Sequence, residues 1–182
     1  MTKVFIGGSR RITRLNKSIL DRTDEIVKKG HTVLVGDANG SDKLMQKYFT
    51  DKHYSHVIVF CAGNLCRNNL GNWTVRFIQS ERTEKDFDFY ATKDLEMSKE
   101  ATYGLMLWDG KSSGTLNNIL NLLEQNKEVQ VYFSPKKLVI KLNKSRDLMH
   151  LVKNCDSSSL ARFEKKLRLT ERIFSQQQLS LA

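Results

Sequence analysis

Short apolar runs alternate with amphipathic stretches through the first 60 residues, and this alternation restricts the fold more than any other feature of the sequence. The apolar runs lie at residues 4–6, 32–35 and 57–60, and apolar residues at helical spacing fill both intervals between them. This order predicts a parallel α/β sheet with right-handed crossovers. The loops that follow the strands then meet at one edge, where open α/β sheets bind ligands.

The rest of the chain continues this alternation and then changes character. Further strands and helices are predicted at residues 94–103, 105–108, 116–123, 129–133 and 138–140. Residues 63–90 are polar and irregular, which is typical of an insertion or a binding loop. Within this segment Arg67, Trp73 and Arg76 either close over a ligand or lie on a mobile surface loop.

The predicted fold is a Rossmann-like open parallel sheet with helices on both faces over residues 1–143. Apolar residues between lysines and arginines recur at helical spacing further on, which predicts an amphipathic helical extension over 144–182. Its apolar faces at 148–152 and 160–174 would be exposed if nothing covered them, so the sequence also predicts a homo-oligomer.

Composition excludes several classes of protein. The chain has 182 residues, of which 40% are hydrophobic and 27% charged, as in globular domains. No apolar run approaches the roughly 20 residues of a membrane-spanning helix, and no signal peptide is recognisable, so we expect a cytoplasmic protein without a membrane partner. The three cysteines are an odd number and lack paired histidines nearby, so we expect no disulfide scaffold, metal or cofactor.

The net charge favours partners that carry phosphate. Thirty lysines and arginines against 20 aspartates and glutamates give +10, with a pI near 9.6. Such an excess raises the local concentration of nucleotides or nucleic acids. The alternative is a solvated basic surface that only aids solubility.

Three glycine-bearing turns follow the predicted strands at 4–6, 32–35 and 105–108. Glycine lets a ligand approach the backbone closely, and the next helix offers free N–H groups and the positive end of its dipole. Hydroxyl and basic side chains add donors, while aspartates suit ribose hydroxyls or a base amino group. The turn residues expected to bind a ligand are Gly7, Gly8, Ser9, Arg10, Gly36, Asp37, Gly40, Ser41, Asp42, Gly110, Lys111, Ser112, Ser113, Gly114 and Thr115.

Each turn also has a simpler interpretation as a structural turn. Neither the spacing of a P-loop nor that of the dinucleotide-binding glycine fingerprint occurs. Trp108, which ends a predicted strand, is either a core residue or a ligand-binding surface on which a base stacks. The ligand-binding hypothesis therefore depends on the turns meeting at one edge of the sheet.

The three motifs resemble those of the SLOG superfamily of Rossmann-like nucleotide-binding proteins. Gly8-Ser9-Arg10, residues 36–42 and the late motif at 108–115 match the pattern of its YspA-like branch, and residues 93–97 also fit. The superfamily includes the LOG phosphoribohydrolases and the Rossmann domain of DNA-processing protein A. The resemblance covers about residues 3–142 and implies nucleotide binding at these motifs.

The resemblance also bears on catalysis. In nucleoside 2-deoxyribosyltransferases, which share a related pattern, a glutamate three residues after the threonine attacks the anomeric carbon, and LOG enzymes carry a glutamate at the same offset. Here that position is Asn118, whose amide cannot act as a carboxylate nucleophile or general base. We therefore place Asn118 among the ligand-binding residues, and Asp94 and Asp109 become the candidate catalytic carboxylates.

These observations favour a binding or sensor protein for a nucleotide or nucleotide-derived small molecule. One alternative is an enzyme of the N-glycosidase or deoxyribosyltransferase type. A second alternative is a nucleic-acid-binding protein, indicated by the net charge and the DNA-processing relative. The basic residues near the carboxyl end are typical of a solvated helix face, since aromatic residues are not interleaved with them.

Overall fold

The computed structural model describes residues 1–80 and 84–174. Its strands are β1 (Lys3–Gly8), β2 (Thr32–Gly36), β3 (Val57–Ala62), β4 (Thr74–Ile78), β5 (Tyr103–Trp108), β6 (Val129–Phe133) and β7 (Leu138–Leu142). They form one sheet in the order β4-β3-β2-β1-β5-β6-β7. All neighbouring pairs are parallel except β6 and β7, which run antiparallel. The predicted Rossmann-like sheet is therefore confirmed.

Helices cover both faces of the sheet. They are α1 (Lys17–Lys28), α2 (Ser41–Asp51), α3 (Phe87–Glu100), α4 (Ser113–Glu124), α5 (Met149–Val152), α6 (Ser157–Leu167) and α7 (Leu169–Phe174). None of the helices in the described ranges has the length and apolar character needed to cross a bilayer.

Successive residues of each strand face opposite helix layers, because the side-chain period of a strand is two. Val4 and Ile6 of β1 pack in one cluster with Ile19 of α1 and Phe49 of α2. Phe5, which lies between them, belongs to the other cluster, formed with α3 and α4. Both faces are buried, which explains why the central strands appear in the sequence as continuous apolar runs.

The C-terminal helices pack on α4 and complete the second layer. Phe163 of α6 and Ile173 of α7 are buried in the same cluster as Leu116 of α4. Arg172 adds hydrogen bonds from its guanidinium to both carboxylate oxygens of Glu124, at 2.6 and 2.8 Å. Most of the apolar residues that predicted a homo-oligomer are thus covered within the chain, although Phe174 is 40% exposed, and the prediction of a homo-oligomer is not supported.

Residues 63–90 are more regular than the sequence indicates. β4 lies within this segment and pairs with β3 from Ile58 opposite Thr74 to Ala62 opposite Ile78. Most of its side chains are partly or fully exposed at the edge of the sheet, so it lacks the apolar run that marks the buried strands. The helix predicted from residue 94 begins earlier, because Asp86 caps α3 by accepting a hydrogen bond from the N–H of Phe89 at 2.9 Å.

Candidate functional site

The loops after β1 and β5 face each other at the C-terminal edge of the sheet. The two strands are neighbours, but their connections lead to opposite sides, so a crevice opens between the loops. Ser9 bridges it: its N–H donates to the Leu107 carbonyl at 2.9 Å, and its Oγ donates to Oδ2 of Asp109 at 2.8 Å. Gly8 allows this approach, because a Cβ there would stand 2.4 Å from the Leu107 carbonyl oxygen.

A cavity of about 650 Å³ occupies this crevice. Predicted residues from all three glycine turns line the cavity. From the turn after β2, Asp42 is the one predicted residue that does so. The predicted residues that line the cavity are Gly7, Gly8, Ser9, Arg10, Asp42, Asp94, Asp109, Lys111, Ser112, Ser113, Gly114, Thr115 and Asn118.

The N-terminus of α4 forms one wall of the cavity. Ser112 caps this helix by accepting a hydrogen bond from the N–H of Thr115 at 3.2 Å. Oδ1 of Asp109 shapes the turn before it by accepting from the N–H groups of Lys111 and Ser112, at 3.0 and 2.8 Å. The first N–H groups of a helix lack intrahelical partners and lie at the positive end of its dipole, so this wall attracts anions. A Cβ on Gly114 would meet only Ser112 Oγ, at 3.9 Å.

Among the described residues that line the cavity, basic side chains outnumber acidic ones, with eight lysines and arginines against four aspartates. The basic residues are Arg10, Arg11, Arg67, Lys85, Lys93, Lys111, Arg162 and Lys166. Arg162 of α6 donates to the carbonyl of Lys111 at 3.0 Å, which ties the C-terminal helices to the turn after β5. A cleft with surplus positive charge concentrates anionic ligands.

Tyr90 of α3 presents an aromatic ring to the cavity. The guanidinium carbon of Arg67 lies 4.6 Å from the ring centre and that of Arg10 lies 5.9 Å from it. Arg67 is fixed from behind by Asp37, to which it donates through Nε at 2.9 Å and Nη2 at 2.6 Å. The ring and the two guanidinium groups together form a cationic aromatic surface.

Four polar side chains with little or no exposure form a cluster in the cavity lining. Nζ of Lys93 donates to Oδ1 of Asp94 at 2.5 Å, and Nδ2 of Asn118 donates to Oδ2 of Asp94 at 3.2 Å. Burial raises the pKa of the fourth member, Asp42, to about 7, although the charge of Lys93 opposes this. Burial acts to lower the pKa of Lys93, but the charges of Asp94 and Asp42 outweigh it and the pKa is raised. Lys93 is therefore favoured as an ammonium ion, hydrogen-bonded to Asp94 and attracted by the charge of Asp42.

The remaining predicted residues lie outside the cavity lining, and those of the second turn contact the protein itself. They are Gly36, Asp37, Gly40, Ser41, Trp108 and Gly110. Gly40 has φ +84°, and a Cβ there would stand 2.3 Å from Cα of Arg10, so the second turn packs directly on the first. Burial acts to raise the pKa of Asp37, but hydrogen bonds from the side chain and backbone of Arg67 lower it overall.

Trp108 is a core residue. Its side chain is fully buried, and its indole N–H donates to the carbonyl of Ser112 at 3.1 Å. The ring packs between Phe133 and Phe163, with centroids 5.5 and 6.0 Å away. No face of the indole is left for a base to stack on. Gly110 turns the chain beside it with φ +73°.

Several lining residues were not among the predicted site residues, because most of them come from elements with no local motif. These are Arg11, Lys85, Asp86, Tyr90, Lys93, Arg162 and Lys166. Arg67 lines the cavity, whereas Trp73 and Arg76 do not. The indole N–H of Trp73 donates to the carbonyl of Tyr54 at 2.9 Å, and Arg76 pairs with Glu100.

The composition argued against disulfides, yet the structure joins Cys61 to Cys66. This bond closes one short loop just before Arg67 and does not cross-link two separate elements of secondary structure. Atoms of Asp37 and the two cysteine sulfurs lie within 4.8 Å of one another, the one such grouping of metal-ligating types across residues 1–80 and 84–174. The carboxylate is engaged by Arg67 and the sulfurs by each other, so these atoms are committed to protein contacts.

The fold defines a Rossmann-like open α/β protein with its cavity at the point where the strand order reverses. DNA processing protein A from Helicobacter pylori has a similar structure, with a TM-score of 0.57 over 92% of this chain and 80% of that chain, at 15% sequence identity. That protein is described as having a unique single-stranded DNA binding mode. No protein-family model and no curated protein matches this chain. The likeness concerns the fold, and the SLOG assignment stays a prediction.

Proposed function

We propose that this cavity binds a nucleotide or a nucleotide-derived small molecule, and that the protein acts as a binding or sensor protein. The observation that carries the proposal is the opening of the α4 N-terminus into a cavity whose lining, within residues 1–80 and 84–174, has twice as many basic as acidic side chains. Helix N-termini bind phosphate through their free N–H groups, and the surrounding cations add to this attraction. The volume of about 650 Å³ falls within the usual range of small-molecule sites.

Each part of the cavity has a role in this proposal. The phosphate lies against Ser113 and Gly114 at the start of α4, with Lys111 and Lys166 near it. Asp109 acts as a positioning residue, because both of its oxygens hold the loops in place. The base stacks on Tyr90 and its flanking guanidinium groups, a role that the buried Trp108 cannot take.

Binding is favoured over glycosidic cleavage because of the residues around Asp94. Asn118 occupies the position of the glutamate in the related enzymes, and the carboxylate of Asp94 already accepts hydrogen bonds from Lys93 and Asn118. If the protein nevertheless cleaves an N-glycosidic bond, Asp94 is the carboxylate available to assist it. Asp94→Ala must then abolish release of free base, and unchanged turnover would exclude this role.

The test is a thermal-shift screen with nucleotides and nucleosides, followed by chromatography of the products. We expect phosphorylated compounds to raise Tm and to be recovered intact. Lys166→Ala should reduce the shift, while Lys165→Ala on the same helix, outside the cavity lining, should leave it unchanged. Equal shifts in both variants would contradict binding in this cavity, and the appearance of free base would favour the enzyme.

Single-stranded DNA is the second candidate ligand, favoured by the net charge of +10 and by the binding described for the structural neighbour. Neutralisation of several DNA phosphates makes the affinity fall steeply with added salt. A steep salt slope for an oligonucleotide, together with no Tm shift from mononucleotides, would favour this candidate over the first.

A further inference from the structure

The disulfide between Cys61, near the end of β3, and Cys66, in the loop that follows, lies one residue away from the cavity lining. The two cysteines are only five positions apart, and a bond across so short a loop restricts the unfolded chain less than a bond across a long one. The main consequence of the bond is local, because the next residue along the chain is Arg67, which lines the cavity.

Hydrogen bonds hold residues 67–70, directly after the disulfide, against two other parts of the protein. The N–H of Arg67 donates to Oδ2 of Asp37 at 3.1 Å, in addition to the two hydrogen bonds from its guanidinium to the same carboxylate. The N–H of Leu70 donates to Oε1 of Gln46 at 3.0 Å. These contacts depend on where the loop leaves the disulfide.

The two bonded cysteines differ in their freedom to move. Cys61 is fully buried in β3, where it lies opposite Phe77 of β4, whereas Cys66 is only partly buried and lies on the loop. Two thiols need more space than a disulfide, because atoms that are not bonded stand about 3.5–4 Å apart and an S–S bond is about 2 Å long. Reduction should therefore displace Cys66 and, with it, the neighbouring Arg67.

We propose that the Cys61–Cys66 disulfide is a redox switch, in which reduction by a dithiol releases residues 67–70 from Asp37 and weakens ligand binding. One thiolate of the reductant attacks Sγ of Cys66, and Cys61 leaves and takes up a proton. The second thiol of the reductant then displaces Cys66, which also becomes a thiol, while the reductant is oxidised to a disulfide. The release of residues 67–70 does not depend on the proposed function, whereas the effect on affinity rests on it.

Hydrogen exchange followed by mass spectrometry tests the release without any ligand. On addition of dithiothreitol, the amides of Arg67 and Leu70 should exchange at least about tenfold faster, because their acceptors are no longer in place, while those of β6 should not change. Unchanged exchange at residues 67–70 would overturn the inference and leave the proposed function standing.

Alkylation tests whether the bond is present before reduction. Iodoacetamide added to the unfolded protein in the absence of reductant should modify Cys155 alone, since Cys155 carries the free thiol. After dithiothreitol, all three cysteines should be modified. Modification of all three without reductant would overturn the inference.

Calorimetry with the four ribonucleoside 5′-monophosphates then measures the effect on the cavity. The disulfide form should bind the preferred compound at least about threefold more tightly than the reduced form, because Arg67 belongs to the cationic aromatic surface. Equal affinities would overturn the switch and leave the proposed function standing. Failure of every compound to bind either form would overturn the proposed function and the effect on affinity, whereas hydrogen exchange tests the release separately.

Two cysteine variants locate the switch. Cys66→Ser cannot form the bond, so residues 67–70 should exchange at the reduced rate with or without dithiothreitol. Cys155→Ser is the matched control, since Cys155 is also partly buried but lies outside the bond, and it should keep the wild-type response. A response retained in Cys66→Ser or lost in Cys155→Ser would overturn the inference. The wild-type comparison involves no substitution and tests the inference even if Cys66→Ser does not fold.

Discussion

The turn after β2 and the turn after β5 are alike in sequence and differ in what fills the space above their glycines. Both carry aspartate, glycine and serine between a buried strand and a helix. In the first, the backbone of Arg10 lies against Gly40 and Arg67 pairs with Asp37. In the second, the space above Gly114 is open to the cavity. A glycine turn thus indicates that something approaches the backbone closely, and only the tertiary structure shows whether that is the protein or a ligand.

The largest effect is expected from filling the closed turn. Gly40→Ala forces a Cβ at φ +84° to within 2.3 Å of Cα of Arg10, so we expect a loss of about 4 kcal/mol in the free energy of unfolding. Gly30→Ala is the control, because Gly30 also has positive φ but nothing within 4 Å, and it should lose only about 1 kcal/mol. Urea denaturation measures both, and similar losses would mean that the contact with Arg10 is unimportant.

A smaller effect than that of Gly40→Ala is expected from the ion pair between Arg67 and Asp37, which closes the turn after β2. Arg67→Ala leaves the buried carboxylate of Asp37 without its main partner, which should lower the free energy of unfolding by about 3 kcal/mol. Arg10→Ala serves as the matched control, since Arg10 also flanks Tyr90 but is exposed, and we expect a change within about 0.5 kcal/mol. If the two variants unfold at the same urea concentration, the Asp37 pair does not hold the turn.

The pH dependence of stability tests the burial of Asp42 in the closed turn. Its pKa rises from 3.8 to about 7 on folding, so between these values the folded protein keeps a proton that the unfolded chain has released. Stability from this group is therefore complete below about pH 3.8 and is lost as the pH rises towards 7. The shift already includes the opposing charge of Lys93, and each pKa unit amounts to about 1.4 kcal/mol, so we expect a loss of about 4 kcal/mol that Asp42→Asn removes. Parallel pH profiles for wild type and variant would show that Asp42 ionises normally.

The smallest effect on stability, and the largest on binding, is expected in the open turn. Gly114→Ala adds a methyl group where the protein leaves space and where helix propensity favours alanine, so stability should rise by about 0.5 kcal/mol. The same methyl group occupies the approach of a phosphate to the α4 N-terminus, and nucleotide affinity should fall at least about tenfold. Calorimetry that finds undiminished affinity would place the phosphate elsewhere in the cavity.

The parts of the molecule that local patterns determine could be predicted from the sequence. The buried central strands appear as apolar runs, and Gly8 and Ser112 mark strand ends that meet at one edge of the sheet. Strand β4 was not predicted, because an exposed strand at the edge of a sheet does not require a run of apolar residues. Lys93 was not predicted as a site residue because lysine is almost always exposed, and its burial depends on the neighbouring Asp94 together with Asp42, which the fold brings from α2.

Helix α6 contributes both to the hydrophobic core and to the wall of the cavity. Phe163 anchors this helix in the core beneath α4, while Arg162 and Lys166 on the same helix border the cavity. A ligand drawn to those two cations would hold α6 in its docked position, and fraying of the C-terminal helices would in turn remove part of the cavity wall. Ligand binding in the cavity and local unfolding of α6 and α7 therefore oppose each other. A higher ligand concentration should make these helices more resistant to proteolysis.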